Sequence, residues 1–260
     1  MHGRRRGRGE DRLVKILLVN PNTSRAMTAK IAAAAREAAG PGVEIDAVCP
    51  EPGSAPAAIE SHLDEVAAAV AVVDLIGRDL AVGGSDAYEV ACFGDPGLDA
   101  ARELTAAPVV GIAEAAMHLT SVAGRRFAIV TTLARTLGRA RDLVSRYGME
   151  RACAAYAAVG VPVLALEETT PEVVTDIERA CREALRPVAP DADGADAVVL
   201  GCAGMADLCH ELTRRLGAPV VDGVAAAVGV AAAMVRAGVH TSARGEYAPA
   251  PRYTPEIVTL

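Results

Sequence analysis

Ala91-Cys92-Phe93-Gly94-Asp95-Pro96-Gly97 and Leu200-Gly201-Cys202-Ala203-Gly204-Met205 are the two stretches that decide how this chain is read. Each sets a cysteine at the end of an apolar run, a glycine two residues later and a helix-like segment beyond. In a parallel α/β protein such a cysteine falls at the carboxyl edge of a strand, close to a helix N-terminus, where ligands bind. Two of them in corresponding places of two halves put a pair of thiols across one small substrate.

The flanking sequence repeats a strand–helix alternation. Val14 to Val19 is nearly all apolar, as a strand buried on both faces requires. Asn20-Pro21-Asn22-Thr23-Ser24 breaks it with good turn and cap formers, and Thr28 to Ala39 reads as a helix closed by Gly40-Pro41-Gly42. Strands are expected at Val43–Cys49, Tyr88–Phe93 and Pro108–Ile112, and helices at His62–Leu80, Asp95–Leu104 and Ala113–Ala123. The pattern then starts again. Strands are expected at Phe127–Thr131, Cys153–Val159, Ala197–Gly201 and Pro219–Val221, and helices at Thr136–Tyr147, Pro171–Leu185, Ala206–Leu216 and Val224–Ala237.

An offset of 111 relates Val19 to Val130, Val48 to Val159 and Pro108-Val109-Val110 to Pro219-Val220-Val221, and an offset of 110 relates Cys92 to Cys202. Four landmarks agreeing to within one residue indicate two lobes of one design. The expected fold is α/β: two pseudo-symmetric lobes, each a parallel sheet flanked by helices, with the active site in the cleft between them. The expected division is a flexible tail over 1–12, a first lobe over 13–115, a second over 116–237, and a C-terminal arm or tail over 238–260.

Composition narrows the function. Of 260 residues 52% are hydrophobic and 23% charged, ordinary for a soluble globular protein. A net charge of −7 argues against nucleic-acid binding. No apolar run reaches the roughly 18 residues of a membrane span, so no membrane partner is expected. No signal-type apolar segment follows the arginine-rich start, and a cytoplasmic location is expected. Six cysteines without a Cys-x-x-Cys pair make neither a disulfide scaffold nor a zinc ribbon. The two lysines, Lys15 and Lys30, fall in the first strand and first helix, poor places for the Schiff base that a pyridoxal enzyme needs.

Taken in order, the Asn20–Ser24 turn, Ala91 to Asp99, Pro108-Val109-Val110-Gly111-Ile112 and Leu200 to Met205 resemble the aspartate/glutamate/hydantoin racemase superfamily, and within it the hydantoin and allantoin racemase branch. The resemblance covers about residues 14 to 237. It implies a racemase without cofactor or metal, acting on a small hydantoin-type ring, with one catalytic cysteine from each lobe, here Cys92 and Cys202. It also implies that the Asn-Pro-Asn-Thr turn borders the pocket. A homo-oligomer is expected.

The chemistry suits these residues. Racemisation takes a proton from one face of a carbon and returns one to the other, so one thiolate accepts while one thiol donates. Free cysteine titrates near about 8.5, and a helix N-terminus after each thiol is expected to lower that value. Backbone N–H groups at Phe93, Gly94, Ala203 and Gly204 would stabilise the enolate oxygen. Asn22 would bond the imide edge of the ring, with Thr131 and Thr132 at the equivalent edge of the second lobe.

Blander roles compete. Cys49, Cys153, Cys181 and Cys209 read as small core hydrophobes. Asn22 and Thr23 are equally suited to capping a helix, Gly83-Gly84-Ser85 reads as a turn rather than a phosphate loop, and Cys202, Cys209 and His210 converge poorly as metal ligands. Glu114 and His118 either border the site or lie on helix surface, and Asp95 either caps the helix after Cys92 or orients a catalytic group. Two cysteines argue against a relative of arylmalonate decarboxylase, which keeps one. The apolar flanks favour a neutral ring over aspartate or glutamate. A maleate-isomerase-like enzyme and a non-catalytic two-lobed binder are the remaining alternatives.

Overall fold

Strand β1 (Val14–Val19) buries every residue except Lys15. Its side chains alternate between two cores: Ile16 and Leu18 enter one apolar cluster, Leu17 and Val19 another. Each such fully buried aliphatic contributes about 1.5–3 kcal/mol. The computed structural model describes residues 13–187 and 194–249. The expected tail over 1–12 and the last part of the arm, 250–260, lie outside the described residues.

The first half runs β1, α1 (Arg25–Ala39), β2 (Val43–Val48), α2 (His62–Ala81), β3 (Ala87–Val90), α3 (Leu98–Leu104), β4 (Val109–Gly111) and α4 (Ile112–Ala123). The second runs β5 (Phe127–Thr131), α5 (Leu137–Arg146), β6 (Cys153–Ala158), α6 (Pro171–Ala184), β7 (Ala197–Leu200), α7 (Cys209–Leu216), β8 (Val220–Asp222) and α8 (Gly223–Ala237). Two four-stranded sheets form, ordered β2-β1-β3-β4 and β6-β5-β7-β8, with every pairing parallel. The α/β architecture with two parallel, helix-flanked sheets of one topology is therefore as expected.

In an open parallel sheet the crevice opens where strand order reverses. That point lies between β1 and β3 in one sheet and between β5 and β7 in the other. The turns that follow these strands are Asn20–Ser24, Ala91–Gly94, Thr131–Thr132 and Gly201–Gly204, so topology alone brings them to the sheet edges. Helices α4 and α8 tie the halves together. α4 packs on β7 and β8 as well as β4, α8 packs on β1, β3 and β4 as well as β8, and the two helices pack on each other. Consequently one apolar cluster runs through both halves, from Ile16 and Leu18 to Val198 and Leu200.

Several boundaries differ from the sequence expectation. α1 begins at Arg25, because Ser24, not Asn22 or Thr23, is its N-cap and accepts from the Met27 N–H. β3 ends at Val90 rather than Phe93, since the Asp95 N–H bonds the Cys92 carbonyl and turns the chain. α3 starts only at Leu98, because Asp95 (φ 44°) and Gly97 (φ 70°) adopt left-handed backbone. After Cys202 the chain forms a 3-10 helix, Ala203–Leu208, before α7, where one helix from Ala206 was expected. The described part of the C-terminal arm is docked: Thr241 bonds the carbonyls of Ala106 and Ala107, and the Tyr247 hydroxyl bonds Asp99.

Candidate active site

Cys92 and Cys202 line the same cavity, of about 70 Å³. Around them stand Asn22, Phe93, Gly94, Thr131, Thr132, Ala203 and Gly204, so the structure gathers all nine residues singled out in the sequence. The two cysteine turns match. In each, the N–H of the glycine two residues on, Gly94 or Gly204, bonds the sulfur. In each, a backbone N–H three residues on, Asp95 or Met205, bonds the cysteine carbonyl. The N–H groups of Phe93 and Ala203 make no hydrogen bond among the described residues.

The thiols do not titrate as expected. No α-helix N-terminus follows either closely, and the cleft walls leave both half-buried and largely desolvated. Burial pushes Cys92 up to about 12; the Gly94 N–H opposes this, while Cys202, Asp95 and Glu65 add to it. Burial pushes Cys202 up to about 11, opposed by the Gly204 N–H and by Lys30, with Glu60 adding. The expectation of lowered thiols is thus corrected: desolvation outweighs what one N–H returns.

The polar wall is built locally. Asn22 is buried, and its Oδ1 accepts from Asn20 Nδ2 at 3.0 Å and the Ser24 N–H at 2.9 Å, while its own Nδ2 donates to no described residue. An Asx turn of this kind presents the amide edge to the cavity and leaves capping to Ser24. Across the cleft the Thr131 hydroxyl donates to the Gly201 carbonyl at 3.1 Å, holding the second turn, whereas the buried Thr132 hydroxyl has no partner among the described residues.

Asp95 plays a different part from the one expected. It caps α4, not the helix after Cys92: Oδ1 accepts from the Ala113 N–H at 3.1 Å, and Oδ2 accepts from the Glu114 N–H at 3.0 Å and the Tyr147 hydroxyl at 2.6 Å. Burial pushes it up to about 6 against these three donors. Its left-handed backbone costs about 1–3 kcal/mol, offset by the same bonds. Position 111 must be glycine for this to happen, because a Cβ there would lie 2.4 Å from the Asp95 carboxyl carbon.

Other sequence candidates fall elsewhere. Glu114 pairs with Arg102 at 2.5 Å, and with His118 it borders a separate cavity beneath the C-terminal arm. Gly83-Gly84-Ser85 is a helix-to-strand turn whose Ser85 N–H is taken by the Asp79 carboxylate at 2.7 Å. Cys153 and Cys181 are buried, and Cys209 packs against the core. Among the described residues no cluster of three or more His, Cys, Asp or Glu could hold a metal, and no helix is long and apolar enough to cross a membrane.

The family model described as Asp/Glu/Hydantoin racemase matches residues 16–231. The chain belongs to this family. A hydantoin racemase of Rhizobium meliloti is 43% identical to it over 90% of this chain and 93% of its own. The solved structure of an allantoin racemase from Klebsiella pneumoniae superposes with a TM-score of 0.86 at 48% identity, covering 92% of this racemase-family chain and 95% of that one. An allantoin racemase from Pseudomonas fluorescens superposes at 0.82 with 36% identity, over 93% and 99%.

The sequence reading missed part of this family member's site. Ile59, Glu65, Thr136, Arg139 and Val163 also line the cavity. Ile59 lies in the loop before α2 and Val163 in the stretch after β6, while Glu65 and Arg139 sit on α2 and α5. No local signal marks them. Only the closeness of the two lobes turns these surface-like positions inward.

Proposed function

We propose that this protein is a cofactor-independent racemase that interconverts the enantiomers of a 5-monosubstituted hydantoin or of allantoin, with Cys92 and Cys202 as its two bases. One observation carries the reading: two thiols from equivalent turns of two lobes face a single cavity, each with a glycine N–H on its sulfur. The relatives named hydantoin racemase and allantoin racemase support the substrate class. Residues 13–115 and 116–237 act as the two walls of one racemase domain.

In this mechanism the working form shares one proton between the two sulfurs. The thiolate removes the proton from C5, the electron pair moves into the adjacent ring carbonyl, and the opposite thiol returns a proton to the other face. The uncommitted N–H groups of Phe93 and Ala203 are the donors available to an enolate oxygen, while those of Gly94 and Gly204 serve the sulfurs themselves. Asn22 Nδ2 and the Thr132 hydroxyl hold the polar edges of the ring.

The test is solvent exchange. In heavy water, enantiopure allantoin and 5-substituted hydantoins lose optical rotation while deuterium enters C5. If neither change occurs with any of them, the racemase reading falls.

A further inference from the structure

Glu65 and Arg139 come from opposite lobes and meet at the mouth of the cysteine cavity. Arg139 Nη2 donates to the Gly94 carbonyl at 2.8 Å, which ties the guanidinium to the Cys92 turn. Its Nε lies 3.3 Å from Glu65 Oε1, yet the alignment is poor, and this buried N–H has no hydrogen-bond partner. Glu65 in turn leans over the same turn: a Cβ on Gly94 would come within 3.0 Å of Oε1, a contact that only a shift of the Glu65 carboxylate would relieve. A second cavity of about 160 Å³ adjoins the first and shares Ile59, Glu65, Thr136 and Arg139 with it. The pair therefore forms the threshold between the reacting centre and an outer chamber whose remaining walls include Ser61, His62 and Arg135.

Because the two cavities share this wall, a ring held between the cysteines has room to extend its 5-substituent across the threshold. An apolar substituent would shield the accessible parts of the Arg139 guanidinium and the Glu65 carboxylate from water without replacing it, which is unfavourable. A group with adjacent C=O and N–H suits both at once: its oxygen accepts from the accessible part of the Arg139 guanidinium and its N–H donates to the Glu65 carboxylate.

We propose that the Glu65–Arg139 pair selects hydantoins whose 5-substituent carries an adjacent carbonyl and N–H, a ureido or carboxamide group, over those with aliphatic substituents of similar size. This rests on the racemase reading and names the substrate class within it. The discrimination expected from a buried polar site left unpaired is at least about tenfold in kcat/KM.

The experiment compares initial rates by polarimetry for allantoin, which carries a 5-ureido group, and for 5-isopropylhydantoin, using the full chain and its Glu65→Gln variant. Glutamine keeps the size of Glu65 and leaves the Arg139–Gly94 bond in place. The wild-type ratio of kcat/KM, ureido over isopropyl, is expected to be at least about tenfold, and the variant is expected to lower it by about tenfold. Because the ratio is taken within one protein, a general loss of folding or of cysteine alignment cancels. A wild-type ratio at or below one, or a ratio unchanged in Glu65→Gln, overturns the proposal while leaving the racemase intact. Turnover of neither compound, with no exchange at C5, brings down the racemase reading itself.

Discussion

The two lobes repeat one topology but surround their cysteines with different charges. Cys92 has Asp95 and Glu65 in its field, both of which hold its thiol up, whereas Cys202 has Lys30, which brings its thiol down, set against Glu60, which raises it. Lys30 reaches this position through structure specific to its side of the cleft: its Nζ donates to the Leu166 carbonyl at 2.7 Å and Thr169 Oγ1 at 2.6 Å, and pairs with Asp207 at 3.2 Å. The helices beside the site differ in the same manner. α8 is capped by its own Asp222, whose carboxylate accepts from the Val224 and Ala225 N–H groups at 2.9 and 2.8 Å. At the equivalent position, 111 residues earlier, α4 has Gly111, and Asp95 reaches in from the Cys92 turn to do the same work. Backbone symmetry thus supplies two matching cysteine turns, while the side chains that surround them raise the two thiols unequally.

The comparison breaks most sharply on the cysteines themselves. Cys92→Ser and Cys202→Ser should each lower racemisation by about 10²–10⁴-fold, the usual worth of a positioned acid or base. Residual deuterium exchange, followed by NMR with each pure enantiomer, should survive for opposite enantiomers in the two variants. Near-normal turnover in either one would rule out the two-thiol mechanism. The next effect is on pH. Both free thiols are raised, so at neutral pH the pair is doubly protonated and the working monoanion is scarce. kcat/KM should therefore climb by about tenfold per pH unit from pH 7 to 9, flattening only as the first thiol ionises. A flat profile over that range would place the working thiol well below its expected position.

Smaller effects sharpen the asymmetry. With its lower thiol, Cys202 should be alkylated by iodoacetamide about tenfold faster than Cys92 in mild alkali, read by peptide mass spectrometry. Lys30→Met should narrow that gap. Equal rates in the wild type would mean that the cation and the carboxylates do not set the order. Finally, the caps should respond differently to small changes. Asp222→Ala should cost about 0.5–2 kcal/mol of stability as an ordinary lost cap. Gly111→Ala should cost about 1–3 kcal/mol, because the new methyl displaces Asp95, and should also slow the reaction, since Asp95 belongs to the Cys92 turn. Denaturant melts and initial rates together check this; loss of stability with unchanged rate would separate that cap from the site.

How legible all this was in the sequence depends on the range of the interaction involved. β1 and β5 could be read because a strand covered on both faces needs an unbroken apolar run, and Val14–Val19 and Phe127–Thr131 are such runs. The Cys92 turn was misjudged by a few residues because Asp95 takes a left-handed conformation that only its distant partners, Ala113, Glu114 and Tyr147, stabilise. Glu65 and Arg139 could not be found at all, since each looks like helix surface until the lobes close.

By itself, the sequence determined the alternation of strands and helices, their duplication at an offset of 111 and the placing of Cys92 and Cys202 at equivalent turns. These follow from local periodicity and from turn residues within a few positions of each other. Only the tertiary structure decided that burial raises both thiols, that Lys30 stands near Cys202 and not Cys92, and that Glu65 and Arg139 meet at the cavity wall. Those properties depend on desolvation and on charges brought together from remote parts of the chain, and no spacing along the sequence encodes them.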